Sequence, residues 1–209
     1  MAGAPLVYAP PTYTTTNVVY GVGIVMTCPL ASVSLPNDQD LGNSAAWITG
    51  IGGKGGGWSY IGCTDGGVSV TWNPTTVDIT IEEQPTPVAV VVDKATAQIT
   101  FDLSEETLTN INLAYGGAGT ITPTSAGASQ PGKNTLTLST TFPQLACAVI
   151  SKNQLGFARV MYIPGIMSTG QVKTDYRRSA NQRLYPTTFN TICPFNEISW
   201  IDLTQTATS

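Results

Sequence analysis

Apolar and polar residues alternate with a period of two over much of the chain, the pattern of strands that have one wet face. Across residues 76–82 the alternation is strict, with Val77, Ile79 and Ile81 on one side and Thr76, Asp78, Thr80 and Glu82 on the other. Residues 96–103 repeat it, with Ala97, Ile99, Phe101 and Leu103 as the inward set. Residues 88–92 form a continuous apolar strand, and Asp93-Lys94 after it reads as a tight turn. Residues 58–63 and 68–72 read as strands around an Asp65-Gly66-Gly67 turn, the second ending at Asn73-Pro74. Residues 17–27 are rich in β-branched side chains and predict another strand, with Gly21 and Gly23 marking a bulge or a close backbone approach. Further strands are expected at 134–139, 145–151, 157–163, 171–175, 185–190 and 197–203.

The period changes once. Ser104 is a good N-cap, Glu105 and Glu106 suit a first turn, and Leu108, Ile111 and Tyr115 fall on one side before Gly116-Gly117. This predicts one short amphipathic helix over 104–115 that caps a sheet. Residues 1–16 are Pro-, Thr- and Tyr-rich without charge and read as an extended arm. Residues 36–57 read as a long loop ending in a Gly-rich run, a feature tied to binding or disorder. Many short strands and one helix argue for a mainly β fold, a sandwich or barrel. The expected organisation is an arm over 1–16 and a single β-rich domain over 17–209.

Composition narrows the function. Of 209 residues only 11% are charged, against about 25% in an average soluble domain. Histidine is absent, which removes the usual general acid/base at neutral pH and most zinc sites. The cysteines Cys28, Cys63, Cys147 and Cys193 are widely spaced and read as reduced core residues. The start of the chain has no basic n-region and no apolar h-region, which predicts synthesis in a cytosol. Residues 1–106 hold ten carboxylates against Lys54 and Lys94, a balance of −8, and the remainder carries +4. Opposite signs either neutralise each other within one fold or let copies meet head to tail.

Candidate chemistry thins out on inspection. Residues 50–55 match G-x-G-x-x-G, but no helix follows and Gly55 stands where a phosphate loop needs Ser or Thr. Glu82-Glu83 would point to opposite strand faces, and Glu105-Glu106 is explained by the helix start. Serine and cysteine nucleophiles lack an imidazole partner. Arg177, Arg178 and Arg183 form too small a basic patch for nucleic acid and suit contacts between subunits instead. No catalytic, metal or cofactor set emerges.

Residues 88–117 read VAVVVDKATAQITFDLSEETLTNINLAYGG. This stretch resembles the major tail protein, or tail tube protein, family of long-tailed bacteriophages, where a strand ending in a "TF-L-E-T" pattern runs into a helix of the form "TLENLxxALGG". Residues 58–68 resemble that family's "W-x-x-L-G-x-T-x-x-G-V" entry to the sheet, and residues 181–189 its late "YPvTF" strand. The resemblance implies a structural virion protein without enzymatic activity, assembled as stacked homohexameric rings into a hollow tube. The implied partners are further copies of itself and the tape measure, tail terminator and distal tail proteins; no membrane is involved. DNA would pass through the lumen unbound, and the chain would be made in the host bacterial cytoplasm. It also implies contacts between rings through an N-terminal arm and a long loop. The polar face carrying Asp78, Thr80, Glu82, Gln98, Thr100 and Asp102 is then the expected lumen lining, and Tyr8, Pro10, Tyr13, Lys54, Arg177, Arg178 and Arg183 are expected between subunits. Two other functions fit the composition: a capsid decoration protein, and a carbohydrate- or receptor-binding β-sandwich using Trp47, Trp58 or Trp72.

Overall fold

The computed structural model describes residues 23–37, 40–50, 55–82, 84–152, 157–172, 184–192 and 197–203. The fold is mainly β, with 57% of the described residues in strands and an antiparallel, sandwich-like arrangement. Among the described residues ten strands and two α-helices follow one another as β1 (Ile24–Pro29), α1 (Ser44–Thr49), β2 (Ser59–Tyr60), β3 (Thr64–Ile81), β4 (Gln84–Leu103), α2 (Leu108–Ala114), β5 (Thr120–Thr124), β6 (Lys133–Thr137), β7 (Leu145–Lys152), β8 (Ala158–Ser168), β9 (Tyr185–Thr191) and β10 (Ser199–Asp202). The main sheet runs β2-β1-β7-β8-β9-β4-β3, and β10 joins it on β8. Strands β5 and β6 form a separate ribbon.

Alternation along β7 divides its side chains between two cores. Leu145, Cys147 and Val149 pack into the first, with Ile99, Phe101, Leu103, Met161, Ile163, Ile166, Tyr185 and Phe189. Ala146, Ala148 and Ile150 pack into the second, with Met26, Cys28, Leu41, Trp47, Trp58 and Val160. The small residues at 146 and 148 leave room for the two tryptophans, whose rings meet edge to face at 4.9 Å. Trp47 Nε1 donates to the Leu41 carbonyl at 2.9 Å and Trp58 Nε1 to the Ser34 carbonyl at 2.9 Å, so neither indole buries an unpaired donor.

The expected long loop at 36–57 therefore contains structure. Helix α1 lies within it, capped by the Asn43 side chain, which accepts from Ala45 N, and closed by Gly50 in the left-handed conformation. The sequence reads as a loop because this helix is six residues long and buries only Ala46 and Trp47 among its described side chains. Gly55 packs back onto it: a Cβ there would lie 2.6 Å from the Ala46 carbonyl oxygen.

The other helix begins later than the sequence predicts. It runs Leu108–Ala114 with Thr107 as N-cap, the Thr107 side chain accepting from Asn110 N at 3.1 Å. Ser104 instead donates to the Cys63 carbonyl, the Glu105 carboxylate accepts from Cys63 N, and Glu106 accepts from the Tyr185 hydroxyl. The two glutamates are thus tied to the sheet, and the buried helix stripe is Asn110, Leu113 and Ala114, which closes one end of the first core. The ribbon strand at 120–124 had no alternation signal, because Thr120, Thr122 and Thr124 are matched by Pro123 and a half-buried Ile121. Residues 171–172 are not in a strand. Cys28 and Cys147 are buried, but Cys63 is exposed, correcting its expected core position. Cys193 lies outside the described residues.

Candidate assembly surface

The sequence places four strands between residues 68 and 103, whereas the structure has two long ones. Asn73-Pro74 and Asp93-Lys94, each suggestive of a turn, stand at the same height in one hairpin: Asn73 pairs with Thr96, Pro74 with Ala95 and Thr75 with Lys94. Pairing resumes as Thr76 with Val92, so Asp93 is an extra residue on β4 and makes a bulge, not a turn. Asp65-Gly66-Gly67 is likewise a bulge, since Asp65 pairs with Asp102 and Val68 with Phe101. Gly66 and Gly67 take positive φ of 69° and 84° to absorb the two extra residues.

Strand β9 accompanies β4 only over Gln98–Leu103. Below that, among the described residues, β3 and β4 pair with nothing but each other, and side chains 71–82 and 86–94 are all exposed. The free part extends about 27 Å from Asn73 to Ile81 at ~3.3 Å per residue. It is not polar: Val77, Ile79, Ile81, Val88, Val90, Val91 and Val92 are between 45% and 61% exposed. An exposed two-stranded ribbon of branched aliphatics is an unusual surface for an isolated soluble chain.

Register assigns the faces. Side chains directly across an antiparallel pair share a face, and successive residues along a strand change face. At the base, Val68 with Phe101, Val70 with Ile99 and Trp72 with Ala97 lie on the inner face over the first core. Ser69 with Thr100 and Thr71 with Gln98 lie on the outer face. The extra residue at the bulge is on β4, so β3 keeps its alternation past it. Val77 with Val91 and Ile79 with Ala89 therefore continue the outer face, and Thr76 with Val92 and Asp78 with Val90 the inner one. The base thus carries its apolar side chains on the inner face, and the free end carries exposed aliphatics on both faces.

The six residues expected to line a lumen are accordingly divided. Gln98, Thr100 and Asp102 belong to the outer face at the base, with Ser69 and Thr71. Asp78 and Thr80 belong by alternation to the inner face at the free end, beside Val90. Glu82 sits in the turn. The strict alternation at 76–82 was read correctly for one strand, but its partner at 88–92 puts valines on both faces, which a single-strand pattern cannot reveal. Tyr8, Pro10, Tyr13, Lys54, Arg177, Arg178 and Arg183 lie outside the described residues.

At the inner face of the hairpin base a groove of about 560 Å³ opens, lined by Val68, Val70, Trp72, Ile198 and Trp200. Val68, Val70 and Ile198 pack on the first core, while Trp72 and Trp200 are 47% and 66% exposed. Sequence reasoning singled out Trp47, Trp58 and Trp72 as aromatic platforms. The first two are core residues, and Trp200, which carries no such signal in the sequence, lines the same groove as the third.

Ionisable groups around the hairpin base do not assemble into reactive chemistry. The Glu105 carboxylate, hydrogen-bonded to the Cys63 thiol, holds that thiol above its ordinary range, which suppresses the nucleophilic thiolate. Burial pushes Cys147 up to about 12 and also raises Cys28. Asp65 and Asp102 oppose each other across the pair with no basic residue at that level of the hairpin. Among the described residues no three His, Cys, Asp or Glu side chains gather as metal ligands, and no helix is long and apolar enough to cross a membrane. No protein-family model matches the chain, and no curated protein matches it.

Proposed function

We propose that this chain is the tail tube subunit of a long-tailed bacteriophage, a structural virion protein whose copies stack as hexameric rings into a hollow conduit for DNA ejection. The observation that carries the reading is the free half of the β3–β4 hairpin, which exposes seven large aliphatic side chains with no partner strand among the described residues. Such a surface costs solubility in a solitary protein and is explained when neighbouring copies cover it. The segment that resembles the family, residues 88–117, forms the second strand of this hairpin and the helix that closes the first core. It is a scaffold segment, and its likeness to tail tube proteins supports a structural role.

In this reading the bore-facing set narrows to the polar outer face at the hairpin base: Gln98, Thr100 and Asp102, with Ser69 and Thr71. The Asp102 carboxylate, with Asp65 opposite it, repels phosphate and gives DNA nowhere to bind. The glycan-platform alternative loses two of its three tryptophans to the second core. The test is sedimentation of the purified protein at rising concentration, with electron microscopy of the fast fraction. Rings or hollow tubes support the proposal; a monomer at every concentration overturns it.

A further inference from the structure

Asp65 is the only aspartate in the chain that is followed by glycine, and no asparagine is followed by one. Glycine matters there because it sets no side chain beside its own amide nitrogen, which leaves that nitrogen open to the carboxyl carbon of the preceding residue. A folded strand ordinarily blocks attack by that nitrogen, since closing the five-membered ring needs a backbone rotation that a paired ladder permits only when it opens locally.

The base of β3 lacks that restraint. Asp65 pairs with Asp102 and Val68 with Phe101, so no residue of β4 stands opposite Gly66 or Gly67. Strand β3 also ends its sheet, so among the described residues no second strand holds it from the other side. Asp65, Gly66 and Gly67 are exposed, and a Cβ on either glycine would meet nothing within 4 Å. We infer that Asp65-Gly66 is a site of spontaneous covalent modification, at which the aspartate isomerises to isoaspartate within the folded protein.

The chemistry needs only water. The Gly66 amide nitrogen bonds to Asp65 Cγ of the protonated carboxyl, the Cγ–OH bond breaks, and the hydroxyl departs as water with the proton from the nitrogen. The succinimide so formed is neutral, which removes one of the two carboxylates opposed across the pair. Water then opens the ring. Adding at Cγ it restores aspartate; adding at the backbone carbonyl it leaves the chain running through Cγ, with the former backbone carbonyl carbon as the free carboxylate. The main chain gains one methylene, and the open space around Gly66 and Gly67 accepts it without separating Val68 from Phe101. Asp102 is the internal control. It stands at the same height but pairs with Asp65 on one side and Pro186 on the other, and the buried Leu103 follows it.

The test compares folded protein with the same protein held unfolded in urea, both incubated at neutral pH. Tryptic peptides 55–94 and 95–133 separate Asp65 from Asp102. Electron-transfer fragmentation then locates isoaspartate in each. Conversion at Asp65 in the folded protein should run within about tenfold of the unfolded rate, while Asp102 converts in neither. Folded conversion more than about tenfold slower would show that the bulge protects the site, and overturns the inference. Equal conversion at Asp102 in the folded protein also overturns it. Asp65→Glu keeps the charge but would have to close a six-membered ring. Once circular dichroism shows that it is folded, labelling by an isoaspartate methyltransferase should fall to background, and unchanged labelling would contradict the assignment to Asp65.

Discussion

Val77 and Val91 stand directly across from each other on the outer face of the β3–β4 hairpin, 51% and 49% exposed, beyond the last residue of β4 that β9 accompanies. In the isolated chain they contribute to no core, since neither belongs to the two clusters that hold the fold together. Their aliphatic character adds nothing to either core, and under the proposed function it serves assembly.

Replacing both by threonine should separate the two. Threonine keeps the β-branched fit to a strand, so the folded subunit should lose no more than ~0.5 kcal/mol in urea unfolding. Light scattering of the same variant should show assembly lost or delayed. A variant that unfolds more easily and assembles normally would place these residues in a core.

The carboxylates of Asp65 and Asp102 oppose each other across the same hairpin. Like charges directly across a pair destabilise it, so Asp65→Lys should raise the thermal midpoint of the free subunit by about 1–3 °C. If the outer face at the hairpin base lines the bore, tubes carrying the lysine should release DNA more slowly. Differential scanning calorimetry and ejection kinetics read the two effects separately.

How much of this was written in the sequence depends on which interactions set each element. Period-two alternation at 96–103 identified Ala97, Ile99, Phe101 and Leu103 as inward, and all four are buried. The hairpin was cut into four pieces because Asn73-Pro74 and Asp93-Lys94 are locally turn-like. Their pairing across the ribbon overrides local preference, and that pairing is a non-local fact. Glu105 and Glu106 illustrate the same limit, since a helix start and a tie to Cys63 and Tyr185 ask for the same residue type. Trp200 went unnoticed because a tryptophan in a short strand normally signals a core. Only the position of β10 beside β8 leaves it at the groove mouth.

The second core should be the more fragile part of the subunit. It is built on the Trp47–Trp58 contact over the small residues Ala146 and Ala148, and Trp47 is fully buried. Trp47→Ala should cost about 3–5 kcal/mol in urea unfolding. Trp47→Phe should cost less, retaining most of the ring contact but losing the bond to the Leu41 carbonyl.

Alkaline pH should destabilise the subunit through Cys147. Burial favours its neutral thiol, so the folded state holds the proton up to about 12, whereas the unfolded chain releases it near the ordinary thiol value of 9.0. The stabilisation is therefore complete below pH 9 and is lost between pH 9 and 12, at about 1.4 kcal/mol per pH unit. Cys147→Ala should flatten that part of the stability-against-pH curve, although it costs core packing at neutral pH.

The central claim is that the free hairpin is the surface by which copies of this chain build a hollow tube. A cryo-electron microscopy map of the assembled protein measures this most directly. A hollow assembly is expected in which the free end of every hairpin contacts a neighbouring subunit and Val77, Ile79 and Val91 are covered. A tube whose hairpin ends project into solvent, or particles that remain single subunits at the highest attainable concentration, would contradict it.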